Sequence, residues 1–353
     1  MPLKYVLEQV KKFISSTTPE VLCITGSWGV GKTYTWNKCL REMKLNEIGL
    51  ERYSYVSLFG LDSLHELKYS IFENTVRTED LSSIPSFKTL YGLIGGAAKL
   101  ARKGAPSLIA SIPKVKDYAA VISPFYFLTV RESLICFDDL ERKGKNLNIR
   151  DVMGLVSLLK EQKRCKVILI LNNDAFEDED QAAEVFKRYY EKVVDITLKF
   201  EPASSECVAI ALPDSSEVSK QLSAVCITLG ISNIRVIKKI ERAVREVKGL
   251  VASFEKEVFV QAIHSLAVFG WSIYEPNTAP PLDYLERIIE NYLNDKDKIT
   301  AKEGAWNAAL NASNFSSIDE FDRVLLAGMQ NGFFDAEGIQ RCRTEQTNKC
   351  SKT

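Results

Sequence analysis

The chain has 353 residues, of which 46% are hydrophobic and 26% charged, with 46 Lys+Arg balanced by 46 Asp+Glu. That is the make-up of a soluble globular protein of about two domains, and zero net charge supplies no overall field that would point to nucleic acid. The eight cysteines form no C-x-x-C pair, which argues against a zinc site or a thioredoxin motif and for buried thiols in a reducing cytosol.

The N-terminal run MPLKYVLEQVKKF alternates charged and apolar residues and lacks the unbroken apolar core of a secretory signal, so a cytoplasmic location is expected. Next comes a short β-prone run, Val21 to Thr25, and then GSWGVGKT. Gly26, Gly31, Lys32 and Thr33 fit G-x-x-x-x-G-K-[ST], and Tyr34 to Met43 reads as the helix that should follow. Glycines let backbone N–H groups close on phosphate oxygens, and the helix N-terminus adds its positive dipole end. Gly26, Ser27, Trp28, Gly29, Val30, Gly31, Lys32, Thr33 and Tyr34 are therefore the expected nucleotide-binding residues, with Lys32 on the β- and γ-phosphates and Thr33 on Mg²⁺.

Tyr55 to Leu61 follows, then a helix start with a capping box, Ser63 and Glu66. An insert spans about 81 to 130. Its longest uncharged run, Tyr118 to Val130, is 13 residues, below the roughly 18 needed to span a bilayer. Three readings stay open for it: contact with a membrane surface, a partner-binding segment, or a helical excursion.

A phosphate loop needs an acid at the end of a second apolar strand. Ser133 to Phe137 is that strand, and it runs into Asp138 and Asp139. Asp138 takes the Walker B position as a metal ligand. Asp139 is expected to polarise the attacking water, with Glu141 a second claimant. Ile149 to Gln162 reads as a crossover helix, with Val152, Leu155, Val156, Leu158 and Leu159 on its apolar side. It leads to the buried-type strand Lys166 to Leu171. Asn172 ends that strand, where it reads as a γ-phosphate sensor or as a simple cap.

A helix from about Asp180 to Lys192 carries Arg188 and Lys192 one turn apart. They are either solvated basic residues or a finger for a neighbouring subunit's nucleotide, with Arg188 the stronger candidate. Val194 to Phe200 alternates like a last strand, which Pro202 ends. Beyond it the chain reads as helical: Glu217 to Leu229, a break at Gly230, and a helix from Asn233 whose Arg235 is a surface residue or a second sensor. Glu255 to Phe269 and Leu282 to Tyr292 are amphipathic, and a polar tail begins at Arg341. His65 and His264 stand isolated in the sequence.

GSWGVGKT, with Trp28 inside the loop, is similar to the G-x-W-G-x-G-K-[ST] loop of the KAP-type P-loop NTPases. Their second motif, D-D-L-D-R, has its counterpart in Asp138-Asp139-Leu140-Glu141-Arg142, one conservative change away. The resemblance covers roughly 4 to 201 and thins out near 247. It implies an α/β fold, a parallel P-loop sheet of the ASCE type, related to AAA+ ATPases, with a helical lid and an α-helical C-terminal region. The expected domains are 1–202 for the core, 203–250 for the lid and 251–353 for a helical C-terminal domain. It further implies ATP rather than GTP, consistent with the lack of an N-K-x-D motif, a protein partner or self-association, and in bacteria a setting in anti-phage defence.

Three functions remain open at this level. One is an ATPase that works as a conformational switch or drives assembly. Another is a nucleotide-binding regulatory module with little hydrolysis. The third, a small-molecule kinase, lacks an acceptor-binding motif. Intact acids at 138 and 139 favour the first.

Overall fold

The structure is a computed structural model and describes residues 3–78, 127–172, 180–287 and 299–342, with only the backbone for 180–185. Most of the insert, residues Asn173 and Asp174, and the tail from 343 lie outside the described residues. The chain divides into two compact units: Met1–Trp28 with Lys32–Glu201, and Gly29–Gly31 with Pro202–Thr353.

The first unit is a six-stranded sheet. Its strands are β1 (Val21–Gly26), β2 (Arg52–Ser57), β3 (Thr75–Arg77), β4 (Ser133–Asp138), β5 (Lys166–Asn172) and β6 (Ile196–Lys199). Their order is β3-β2-β4-β5-β1-β6. Only β3 runs antiparallel, at the edge; every other pairing is parallel. β5 thus stands between the loop-bearing β1 and β4, the extra central strand expected of the ASCE type. All residues of β4 and β5 are buried. Their near-continuous apolar runs follow from that, because a central parallel strand has both faces covered.

Helices α1 (Leu3–Ser15), α2 (Lys32–Glu42), α3 (Leu64–Glu73), α4 (Ile149–Glu161) and α5 (Asp180–Val193) accompany the sheet. In α1 the buried residues Val6, Val10, Phe13 and Ile14 recur at helical spacing. α4 is the crossover between β4 and β5. Asn148 caps it, its Oδ1 accepting from the Arg150 N–H at 2.9 Å, and Val152, Leu155, Val156 and Leu159 are buried as their spacing predicts.

Three details differ from expectation. α2 starts at Lys32, two residues before Tyr34, so Lys32 and Thr33 lie in its first turn. At α3, Ser63 Oγ accepts from Glu66 N–H at 3.2 Å, but the Glu66 carboxylate accepts from Asp62 N–H at 2.8 Å, so the box closes one residue further out. The last strand is shorter than Val194 to Phe200, because Val194 N–H still donates to Tyr190 of α5.

The second unit is helical among its described residues: α6 (Ser204–Ala211), α7 (Glu217–Thr228), α8 (Ile234–Leu250), α9 (Lys256–Tyr274), α10 (Leu282–Glu286), α11 (Ala301–Ala312) and α12 (Glu320–Asn331). α9 is apolar nearly all round and sits at the centre, packed on α7, α8 and α12. It runs past Phe269 to Tyr274; α10 is described over Leu282–Glu286, and the rest of the expected stretch to Tyr292, from 288 on, lies outside the described residues. Among the described residues, no helix is long and apolar enough to cross a membrane, and every cysteine is a buried free thiol.

Candidate nucleotide site

The site grows from three strand ends. β1 delivers Gly26 and the loop, β4 delivers Asp138, and β5 delivers Asn172. Parallel register sets them side by side: Gly26 pairs with Asn172 across β1 and β5, and Ser57 with Asp138 across β2 and β4. All these ends point the same way, the edge at which open α/β sheets bind ligands.

The loop is shaped by glycine. Gly29 and Gly31 have φ of +75° and +96°, values that favour residues without a Cβ. The Lys32 ammonium donates back to the carbonyls of Gly26 at 2.6 Å and Ser27 at 2.8 Å, which holds the loop curved around the lysine head. Val30 is buried, while Trp28 and Tyr34 are 44% and 48% exposed.

Thr33 Oγ1 donates to Asp138 Oδ2 at 2.6 Å. Tyr55 OH donates to the same oxygen at 2.8 Å, and Asp139 N–H donates to Oδ1 at 2.9 Å. Burial pushes the Asp138 carboxyl up from its usual range, and the Thr33 and Tyr55 hydroxyls hold it back. Thr33 and Asp138 offer hard oxygen donors within one bond of each other. That donor set fits Mg²⁺, which takes few protein oxygens and keeps waters and phosphate for the rest.

Asp139 occupies the left-handed region, φ 56° and ψ 37°. Its Oδ2 accepts from Ser57 Oγ at 2.7 Å, and Arg142 lies 3.6 Å from Oδ1. The Arg142 guanidinium lies over two rings, 4.0 Å from the Phe59 centroid and 5.6 Å from that of Trp28. Glu141, in the 3₁₀ turn Leu140–Arg142, has a buried Oε2 with no hydrogen-bond partner. Burial raises its pKa; nearby Asp139 and Asp138 add to this, and Lys32 opposes it. Asn172 is 8% exposed, and its Oδ1 likewise has no partner.

Arg188 is exposed on α5. In the helical unit, Arg235 is exposed in the first turn of α8, where Asn233 Oδ1 caps the N–H groups of Arg235 and Val236. The loop residues grouped with that unit touch the same turn: Ile234 N–H donates to Gly29 O at 2.9 Å, and Cys207 Sγ lies 3.9 Å from Val30 O.

Sequence reasoning assigned no role to Tyr55, Ser57 or Asn233. For the first two a signal existed. Tyr53, Tyr55 and Ser57 recur at period two, so one face of β2 carries three hydroxyls towards its end.

The sequence profile of the KAP family P-loop domain matches residues 4–256, more than two thirds of the chain. The chain belongs to the KAP family. This KAP chain therefore carries a P-loop nucleotide-binding domain, and its strand order is that of the ASCE division. No curated protein matches the chain. Among solved structures it is similar to Drosophila ORC bound to DNA, at 14% identity over 96% of this chain and 85% of that one, TM-score 0.44. It is also similar to Aeropyrum pernix ORC1 in complex with DNA, at 13% over 93% and 80%, TM-score 0.42. A Thermotoga maritima RuvB mutant aligns at 14% over 92% and 86%, TM-score 0.36. Scores this low add nothing to what the strand order and the KAP match establish.

Proposed function

We propose that this KAP protein binds Mg·ATP on Gly26 to Thr33, hydrolyses it, and uses the cycle as a conformational switch or to drive assembly. The observation that carries this reading is the 2.6 Å bond from Thr33 to Asp138, which joins the loop to the Walker B strand. Lys32 neutralises phosphate charge, and Thr33 and Asp138 hold the metal. Mg²⁺, when bound, supplies charge neutralisation at the β- and γ-phosphates. The acid that orients water comes from the turn that holds Asp139 and Glu141. Asn172 senses the γ-phosphate from the end of β5, beside Gly26.

In this reading 203–250 is the lid and 251–353 a helical C-terminal domain. The contacts of Gly29 and Val30 with Ile234 and Cys207 support a lid that follows the loop. Arg235 is its phosphate contact, and Arg188 is a finger offered to a neighbouring copy. Self-association or a protein partner, and a cytoplasmic setting, belong to the same proposal. The anti-phage setting rests on kinship alone.

One observation favours the alternative, a regulatory module with little hydrolysis: the Asp139 carboxylate is engaged by Ser57 and Arg142. Phosphate release with Mg·ATP and Mg·GTP, at several protein concentrations, separates the two. Turnover of ATP that Lys32→Ala abolishes supports the switch, and activity rising with concentration supports a finger in trans. ATP binding without turnover supports the module.

A further inference from the structure

Two buried acceptor atoms at the site, Asn172 Oδ1 and Glu141 Oε2, lack a donor. Asn172 Oδ1 is buried at the end of β5, in register with Gly26. Gly26 O in turn holds the Lys32 ammonium at 2.6 Å. Glu141 Oε2 is buried on the 3₁₀ turn that packs against β5, and its carboxylate feels the charge of Lys32.

A carboxylate oxygen and an amide oxygen are both acceptors, so neither satisfies the other. Leaving each unmade costs about 1–3 kcal/mol. A hydrogen donor meets either need, and water donates while keeping a lone pair for attack. Asp139 is less suited to this task. Its Oδ2 already accepts from Ser57, Arg142 faces its Oδ1, and its left-handed backbone shapes the turn.

We propose that Glu141, together with Asn172, holds the attacking water and takes its proton, and that Asp139 shapes the turn that presents Glu141. The inference rests on the ATPase reading above and names its base. Water oxygen forms the new bond to the γ-phosphorus as the bond from that phosphorus to the β,γ-bridging oxygen breaks. The leaving ADP keeps that electron pair. The proton passes from water to the Glu141 carboxylate and then to the released phosphate.

The test compares the full chain with Glu141→Gln, Asn172→Ala and Asp139→Asn. Three quantities are read: kcat for Mg·ATP, the Kd for Mg·ATP by calorimetry, and the thermal midpoint without nucleotide. Glu141→Gln is expected to lower kcat by about 10²–10⁴-fold, the usual size of a general-base loss. Its Kd should stay within about threefold and its midpoint should hold or rise, since a buried carboxylate oxygen without a donor is removed. Asn172→Ala should lower kcat by roughly tenfold or more, and Asp139→Asn by clearly less than Glu141→Gln.

A Glu141→Gln protein that turns over normally, or one whose midpoint drops along with its kcat, overturns the proposal. So does an Asp139→Asn loss equal to or above that of Glu141→Gln. A wild type that does not bind Mg·ATP sinks the underlying reading instead, before any variant is compared. A wild type that binds without turning over overturns both.

Discussion

Thr33 and Asp138 are 105 residues apart in the chain and share a 2.6 Å hydrogen bond. Asp138 is buried at 6% exposure, and Tyr55 donates to the same oxygen. The two bonds hold both oxygens where a hard cation could use them. Thr33→Ala and Asp138→Asn should each weaken ATP binding by about tenfold or more in Mg²⁺, the scale of losing a metal-site partner. In EDTA the loss should shrink. Equal losses with and without Mg²⁺, measured by calorimetry, would count against a metal role for the pair.

Trp36 is fully buried under β2, and its indole N–H donates to Tyr53 OH at 2.8 Å. Tyr53→Phe keeps the ring and strands that donor. The expected cost is about 1–3 kcal/mol in chemical denaturation, the penalty of a buried unsatisfied polar group. A change near zero would mean that the Trp36 N–H finds a partner elsewhere.

Two glycines separate backbone strain from crowding. Gly230 has φ of +73° with nothing within 4 Å of an added Cβ. Gly29 has φ of +75°, but its Cβ would clash with the Asn233 side-chain oxygen. Gly230→Ala should cost about 1–2 kcal/mol, the left-handed penalty alone. Gly29→Ala should cost more, because the Asn233 cap of α8 must also move, and should weaken nucleotide binding besides. Similar costs for both would show that the Asn233 side chain yields freely.

Asp322, 3% exposed, is pushed up to about 6 by burial, with Asp319 close by and Ser265 donating to it at 2.5 Å. In the unfolded chain it titrates near its ordinary value of about 3.9. Between these values the folded protein holds more protons than the unfolded one, so stability falls as pH rises from about 4 to 6. Asp322→Asn removes that slope. The variant should gain on the order of 2–3 kcal/mol relative to wild type between pH 4 and 7.5. Urea midpoints of both proteins at the two pH values check this, and a constant difference would refute it.

The second strand shows where a linear reading stops. Tyr55 and Ser57 stood inside a run recognisable as a strand. Nothing local said that their hydroxyls would serve Asp138 and Asp139, 83 and 82 residues away. Those bonds follow from the parallel register of β2 on β4, which puts Ser57 beside Asp138. The case of Asp139 is similar. Its type and position made it a water-polarising candidate, yet its left-handed backbone and its bonds to Ser57 and Arg142 exist only in the folded turn.

By itself the sequence determined the short-range features of this protein. These are the glycine loop between a strand and a helix, the apolar runs ending in Asp138 and Asn172, the spacing of α4 and the helical second half. Each depends on residue type and on periods of two or 3.6, which a few neighbouring residues express. Only the tertiary structure decided the strand order, with β5 between β1 and β4. It also decided the closure of Thr33 on Asp138, the engagement of Asp139, and the pair of donorless atoms on Glu141 and Asn172. Contacts of that kind depend on strand register and burial summed over the whole sheet, and no local pattern encodes them.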